Sequence, residues 1–172
     1  LYVEGIFEHI NADNTADILV SGNNKILLQE PDKTLTDITP GSYTVTNNNW
    51  KSATIFDHTL LVQKSQAPLI FTRESGSPVL SLESAHAAHG GSYTPNFGTS
   101  YPRDAIAAFG RFWVHDGSTV YWSTDIADST FPAFAGGSSG ILNIASVLPK
   151  NVDVITALAV HNNFLIIFCE RN

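Results

Sequence analysis

The chain alternates short apolar runs with short polar turns along most of its length. The runs contain three to six residues rich in Val, Ile, Leu, Phe, Tyr and Trp, and the turns are rich in Gly, Asn, Asp and Ser. This pattern is typical of antiparallel β-hairpins, because Gly and Asn tolerate the positive φ that tight β-turns need. Hairpin turns are predicted at residues 21–24, 57–58, 110–111, 115–118 and 161–163.

Helical periodicity is weak throughout the sequence. The best helical candidate is Asp104 to Phe109, which is short and leads directly into a Gly-Arg turn. Glu83 to His89 is predicted to form one helical turn, which Gly90 would end because glycine readily adopts the left-handed conformation. The sequence therefore predicts an all-β fold.

Three of the hairpins recur at a constant spacing. Apolar triplets begin at Leu60, Phe112 and Phe164, each 52 residues after the one before. A period near about 50 residues with several strands per repeat is typical of β-propeller blades. The earlier triplet at Ile26 lies 34 residues before Leu60 and does not fit that period. The pattern by itself leaves two folds open, β-propeller-like blades of antiparallel strands and a β-sandwich.

The composition narrows the class of protein. The chain has 172 residues, a net charge of −7 and 15% charged residues, well below the usual value of about 25%. Its single Cys excludes an internal disulfide and leaves no Cys/His spacing for structural zinc. The nine Lys and Arg residues are scattered, so tight binding of nucleic acid by charge neutralisation is not expected.

The two ends of the chain lead us to expect a longer protein. The sequence contains no Met, begins at Leu1 and ends in an apolar run from Phe164 to Cys169. Natural termini more often lie in polar residues that fray. We therefore expect residues 1–172 to be part of one β-propeller-like domain in a longer chain.

Two groups of residues raise the question of catalysis or metal binding. His86 and His89 have the i, i+3 spacing of a helical metal site, with Glu83 nearby, but a surface loop with incidental histidines explains them better. The pair His115-Asp116, with Asp104 and Ser123, contains the residue types of a catalytic triad. No nucleophile elbow accompanies it, and Asp116-Gly117 is better interpreted as a turn between strands.

A turn motif follows the next strand. The stretch from Ser123 to Phe131 resembles the Asp-box turn of sialidase-like propellers, although Ala127 replaces the Gly and the aromatic comes late. Such a turn is structural, because its carboxylate accepts hydrogen bonds from backbone N–H groups. Asp125 and Asp128 could also form a glycosidase carboxylate pair, but no Arg cluster accompanies them.

The remaining candidates are a glycine-rich segment and three tryptophans. Gly136 to Gly140 is not a phosphate-binding loop, since a predicted strand rather than a helix follows it, and it is interpreted as a flexible connection. Trp50, Trp113 and Trp122 could stack on sugars or bases. Because Trp113 and Trp122 lie inside β-runs, packing within the fold is predicted for both. No catalytic, cofactor-binding or metal-binding residue is predicted, and no cofactor is expected.

Several segments, taken in order, are similar to a known family. They are Leu35 to Tyr43, Trp50 to Val62, Ala67 to Ile70, the pair Gly110–Val114 and Val120–Ser123, and Ile155 to Phe168. The series resembles the tail nozzle (tail tubular protein B-like) family of short-tailed bacteriophages, the podoviruses. The resemblance extends from about Asp17 to Glu170.

The resemblance implies a structural virion protein of the phage tail. Such proteins carry a β-propeller-like domain, assemble as a homo-hexameric ring below the tail adaptor, and extend the channel for genome ejection. The implied partners are copies of the same chain, the tail adaptor, tail fibre proteins and, indirectly, the host envelope. The family has no catalytic motif, so no enzyme is expected.

Because the net charge is −7, we expect DNA to pass through the channel without tight binding. The alternative is a carbohydrate- or receptor-binding β-domain of a tail or surface protein, for which exposed aromatics and the Asp-box-like turn would serve. A hydrolase built on Asp125, Asp128 and the histidines is the third hypothesis.

Overall fold

The structure is a computed structural model, and it describes residues 2–46, 49–126, 131–147 and 153–171. In this part of the chain, fourteen strands form four antiparallel sheets. The first sheet contains β1 (Val3–Ile10), β2 (Ala16–Gly22), β3 (Lys25–Gln29) and β4 (Leu35–Asp37). The second contains β5 (Lys51–Ile55), β6 (His58–Val62), β7 (Leu69–Glu74) and β8 (Ser77–Leu82).

The third and fourth sheets continue the same plan. The third contains β9 (Asp104–Ala108), β10 (Arg111–His115), β11 (Thr119–Trp122) and β12 (Gly140–Asn143). The fourth is the hairpin of β13 (Ile155–His161) and β14 (Phe164–Cys169). Short 3₁₀ helices lie at Glu83–Ala85, Ala87–His89 and Ile144–Ser146.

Each sheet is a meander in which every strand pairs with the next along the chain. Consecutive sheets pack through their first strands, because β1 contacts β5, β5 contacts β9, and β9 contacts β13. None of the four sheets closes on itself. The predicted all-β fold is confirmed, as a row of blade-like antiparallel sheets stacked in chain order.

The three apolar triplets of the sequence repeat lie in the same strand position, the second strand of a sheet. The triplets that begin at Leu60, Phe112 and Phe164 lie in β6, β10 and β14, each of which is the second strand of its sheet. The triplet at Ile26 lies in β3, the third strand of the first sheet. It falls outside the 52-residue spacing because it has a different place in the meander.

The structure rules out the one helical candidate and corrects two predicted turns. Residues 104–108 form β9 and pair with β10, because pairing on a neighbouring strand outweighs the helix propensity of three alanines. Phe56 and Phe109, which were expected to end strands, lie in the turns with φ of 51° and 54°. The predicted turn between Glu83 and His89 is confirmed as two 3₁₀ turns, and Gly90 ends them at a φ of 72°.

The core consists of layers between neighbouring sheets. Successive residues of a strand point to opposite faces, so Leu60 packs toward the third sheet while Leu61 packs toward the first. The second sheet is thus buried on both faces. A third layer lies between the third and fourth sheets and contains Val120, Ile144, Ile155 and Leu158.

Candidate functional site

Two aromatic side chains project from the tips of neighbouring sheets. Phe56 lies in the β5–β6 turn and is 69% exposed, and Phe109 lies in the β9–β10 turn and is 45% exposed. A positive φ is strained for a bulky side chain, so both tips hold their rings outward at an energetic cost. We call these two residues the aromatic tips.

The first sheet has an apolar face on its outer side. Phe7 of β1 contacts Trp50, which directly precedes β5, and His9 of β1 contacts Thr59 of β6. Strand alternation therefore directs Ile6 and Ile10 away from the row of sheets, and Ile6 is 67% exposed. We call Ile6 and Ile10 the first end face.

The fourth sheet has a corresponding face at the other end of the row. Leu165 and Ile167 of β14 pack against the third sheet. The alternate residues Phe164 and Phe168 point away, and Phe164 is 70% exposed. We call these two residues the last end face. Apolar surfaces of this kind are typical of protein–protein contacts.

His86 and His89 are not the surface histidines that the sequence predicted. The His86 ring is almost fully buried and stacks on Phe131 with 4.2 Å between ring centroids, while His89 meets the same ring edge-on at 4.8 Å. The backbone N–H of Ala88 donates to Nδ1 of His86 at 3.2 Å, so that nitrogen is already used. The two histidines pack around an aromatic ring, which suits structure better than metal coordination.

A buried carboxyl group lies beside these histidines. Glu83 accepts a hydrogen bond from the hydroxyl of Tyr93, and Nε2 of His89 lies 3.6 Å from Oε1 of Glu83. Burial raises the pKa of Glu83 and also that of Tyr93. Burial has the opposite effect on His86, whose pKa it lowers. The neutral forms of these groups are therefore favoured in the folded protein.

The four residues with triad chemistry do not form a triad. Oγ of Ser123 accepts from the N–H of Phe112 and donates to the carbonyl of Thr124. Ser123 lies beside Phe112, three residues along β10 from His115, which is about 10 Å of strand. Asp116 accepts from Ser118, Thr119 and Tyr121, as expected of a turn residue.

The carboxylate pair is only partly described. Oδ2 of Asp125 lies 3.5 Å from Nη2 of Arg111, whereas Asp128 lies outside the described residues, as does most of the second half of the Asp-box-like stretch.

The glycine-rich connection from Gly136 to Gly140 is held by hydrogen bonds to Ser138. Its carbonyl accepts from Arg111 and from the indole of Trp122, and its hydroxyl accepts from the N–H of Asp125. The expected flexible connection is thus a hydrogen-bonded turn.

The three tryptophans take part in packing. Each indole N–H donates to a backbone carbonyl, of Thr46 for Trp50, Ala108 for Trp113 and Ser138 for Trp122. Trp113 and Trp122 face each other across β10 and β11 with 5.3 Å between ring centroids. The packing predicted for Trp113 and Trp122 is confirmed. Among the described residues, the exposed aromatic side chains are Tyr2, the two aromatic tips and the last end face.

Comparison of the chain with protein-family models, curated proteins and solved structures finds no match. Its function must therefore be inferred from its own residues.

Among the described residues, no group of three or more His, Cys, Asp or Glu side chains is arranged to hold a metal ion. The described segments also include no helix of the length and apolarity required to cross a membrane.

The sequence carried a signal for the aromatic tips that the hairpin assignment missed. Phe56 and Phe109 are 53 residues apart and each precedes a turn-forming residue, Asp57 or Gly110. Their repetition at the same place in consecutive repeats indicated a shared role. Apolar residues are the strongest sign of a strand, so the sequence pattern predicts each phenylalanine at the end of a strand.

Proposed function

We propose that this chain is a structural virion protein of a phage tail, and forms part of a ring-shaped nozzle through which the genome leaves. The observation that carries the proposal is the pair of apolar end faces on a row of blade-like sheets. Exposed Ile6 at one end and exposed Phe164 at the other are suited to burial against further blades or a neighbouring copy. A row that continues in this way builds a closed propeller-like ring of blades.

The residues that carry the family resemblance support the same proposal. The segments 110–114 and 120–123 largely form the adjacent strands β10 and β11, and residues 155–168 form the hairpin of the fourth sheet. These segments hold the third and fourth sheets together, so their likeness concerns the scaffold. The proposed partners are copies of the chain in a hexamer, the tail adaptor and tail fibre proteins.

The net negative charge of the protein supports a channel that does not bind DNA tightly. With a net charge of −7, the protein as a whole repels phosphate groups. A channel wall of this sign lets DNA pass without tight binding. The proposal includes no enzymatic step.

The test is the oligomeric state of the longest natural chain that contains this sequence. Negative-stain images and mass photometry should show a six-fold ring, and Phe164→Asp should disrupt it by placing a charge on the last end face. Val147→Asp is the matched control, because Val147 is an exposed apolar residue outside both end faces. A stable monomer, or a ring that both variants weaken equally, contradicts the proposal.

The aromatic tips favour one second candidate, a carbohydrate- or receptor-binding β-domain. Strained backbone often occurs at functional sites, and Phe56 and Phe109 are aromatic, exposed and strained. If the tips bind a receptor, Phe56→Ser combined with Phe109→Ser abolishes binding to host cells or to a glycan array. Retained binding in this double variant excludes the tips as the receptor site.

A further inference from the structure

The fourth sheet differs from the other three in the number of its strands. Among the described residues it contains only β13 and β14, whereas each of the other sheets contains four strands. In those sheets the second strand, β2, β6 or β10, pairs with a third strand on the side away from the first. The corresponding side of β14 has no pairing partner in the part of the chain that the structure describes.

The β13–β14 turn determines which backbone groups of β14 lie on this free edge. Residues 162–163 have positive φ, 47° and 62°, and form a two-residue turn that is closed by the pair of His161 and Phe164. Such a closing pair is hydrogen-bonded, and hydrogen-bonded pairs alternate with non-hydrogen-bonded pairs along an antiparallel ladder. The backbone N–H and C=O groups of Leu165 and Ile167 therefore point to the free edge.

β14 lacks the features that protect a strand at the edge of a natural sheet. Such strands are short, carry charges or proline, or contain a bulge. The outer strands of the three complete sheets follow this rule, because β4 has three residues and includes Asp37, β8 includes Pro78, and β12 has four residues. β14 has six residues, Phe-Leu-Ile-Ile-Phe-Cys, and all are apolar. Its composition therefore suits the interior of a sheet.

The third sheet has an uncovered apolar surface beside the free edge. In the two junctions between complete sheets, residues of the third strands β3, β7 and β11 lie in the buried core. Tyr121 of β11 faces the second sheet and is 6% exposed. The next residue, Trp122, faces the fourth sheet beside Trp113 and is only partly buried. Leu142 of β12 lies opposite Val120 on the same face and is exposed.

The free edge and the uncovered surface adjoin each other. Consecutive sheets pack with their first strands in contact, so β14 lies over β10, and the space beside its free edge lies over β11 and β12. We call the free edge of β14, together with Trp122 and Leu142, the strand groove. It continues the core layer that already exists between the third and fourth sheets.

We propose that the strand groove binds two further β-strands, which complete the fourth sheet and belong to the segment after Asn172 in the longest natural chain that contains this sequence. The first of them pairs with the edge at Leu165 and Ile167 and covers Trp122 with its apolar side chains. Connectivity supports this source, because in the complete sheets the third strand follows the second after only two to six residues. The inference does not depend on the proposed nozzle function, since it requires neither a ring nor DNA.

A second copy of residues 1–172 is a poorer occupant of the strand groove. All fourteen of its strands are already paired within its own sheets, so none is free to be donated. The outer edges that it offers, β4, β8 and β12, are the short or proline-containing strands that resist pairing.

Hydrogen exchange of the backbone amides in the natural chain tests the proposal, with residue resolution from fragmentation mass spectrometry. The amides of Leu165 and Ile167 should exchange within about tenfold of the rate of Ile166, whose N–H bonds to β13. The matched reference for a strand that stays at an edge is Asp37 of β4. The N–H of the next residue, Ile38, donates inward to β3, so alternation directs the N–H of Asp37 outward, and it should exchange much faster.

The outcomes separate the possible occupants. Exchange at Leu165 and Ile167 that is as fast as at Asp37 overturns the proposal, and so does a natural chain without residues after Asn172. Protection that appears only as the protein concentration rises shows that a second copy fills the groove, which overturns it as well. The exchange is measured on monomeric protein, so its result is separate from the test of the ring.

Two proline substitutions test the same edge through thermal stability. Ile166→Pro removes an N–H that bonds to β13, and Ile167→Pro removes an N–H on the free edge. Proline is tolerated in a strand where the N–H faces solvent and is disruptive where the N–H is hydrogen-bonded. Ile166→Ala and Ile167→Ala are the matched controls, since they lose the side chain and keep the N–H.

Each proline variant should melt at least about 3 °C below its alanine control, because both N–H groups are bonded in a completed sheet. If Ile167→Pro melts with Ile167→Ala while Ile166→Pro is destabilised, the edge of β14 is free and the proposal is overturned. If the proline variants do not fold, the exchange rates of the unaltered chain decide between the same two outcomes.

Discussion

Arg73 on β7 forms a bidentate ion pair with Asp17 on β2, and this pair links the second sheet to the first. Nε donates to Oδ2 at 2.7 Å and Nη2 donates to Oδ1 at 2.8 Å. Nη1 also donates to the carbonyl of Gly76. The Arg73 guanidinium lowers the pKa of Asp17, so the pair remains ionised in the folded protein. Two residues 56 positions apart in the chain thus hold two blades together.

Replacing Arg73 with lysine should weaken the contact between the first and second sheets, although the positive charge is retained. The ammonium group cannot form the two-pronged bond, so Arg73→Lys is expected to lower the free energy of unfolding by about 1–2 kcal/mol. Urea denaturation measures the change. The control is Lys25→Gln, which breaks the exposed Lys25–Asp37 pair and should cost less than about 1 kcal/mol. Equal losses in the two variants contradict a special role for Arg73.

Gly140 allows the ring of Trp122 to approach the backbone of β12. A Cβ added at Gly140 would lie 2.2 Å from Cζ2 of Trp122, which is far inside contact distance. Gly140→Ala should therefore displace the indole and lower the free energy of unfolding by about 1–3 kcal/mol. Tryptophan fluorescence and urea denaturation report the two effects. Gly41→Ala, where a Cβ would meet nothing within 4 Å, should change neither.

Relief of backbone strain at Phe56 should stabilise the fold. Asn tolerates a positive φ much better than Phe, and the exposed Phe56 ring makes few contacts. Phe56→Asn is expected to raise the free energy of unfolding by about 1 kcal/mol. Phe109→Asn should gain less, since it loses the edge contact with Trp113. A loss of stability in Phe56→Asn means that the ring has a structural contact role instead.

Acid should destabilise the protein through its buried histidines. Burial lowers the pKa of His9, His58, His86 and His115 below the ordinary value of 6.5. The folded protein then binds fewer protons than the unfolded chain, so stability is complete above pH 6.5 and declines as pH falls below it. The decline should reach up to about 1.4 kcal/mol per pH unit for each histidine. Urea denaturation between about pH 5 and about pH 8 measures it.

Glu83 provides a control with the opposite sign. Burial raises its pKa above the ordinary value of 4.5, so its contribution to stability is present below pH 4.5 and lost as pH rises through the raised pKa. Glu83→Gln cannot ionise, and it should gain stability relative to the unaltered protein as pH rises, while it retains the loss caused by the histidines. A stability that stays flat below pH 6.5 in both proteins contradicts the histidine assignment.

Local chemistry explains why five of the hairpins were predictable. Asn23-Asn24 and Asn162-Asn163 adopt positive φ, as such residues do in tight turns, so these turns were identified from residue type alone. The turns at Phe56 and Phe109 were misplaced by one residue because no short-range preference puts a phenylalanine there. Pairing of Ile55 with His58, and of Ala108 with Arg111, determines the position of these turns.

The candidate sites were much less predictable than the strands. A cavity at the ends of β6 and β10 brings together Lys51, Lys64, Arg103 and His115 from three strand ends and an intervening loop, and their spacing in the sequence shows no motif. The sequence predicts an exposed His86 because it lies between alanines and glycines in a polar segment, yet Phe131 covers its ring. Such proximity depends on how the sheets stack, which a local pattern does not contain.

The alternation of apolar and polar residues was sufficient to predict the all-β class, five of the hairpins and their repeat, because strand pairing within a meander is local along the chain. Stacking of the sheets decided which residues meet across the layers, such as Arg73 with Asp17, and which faces remain open at the ends of the row. The physical reason is that a strand has two chemically similar faces. A pattern of alternating residues shows that one face differs from the other, but only packing against a second sheet determines what each face contacts.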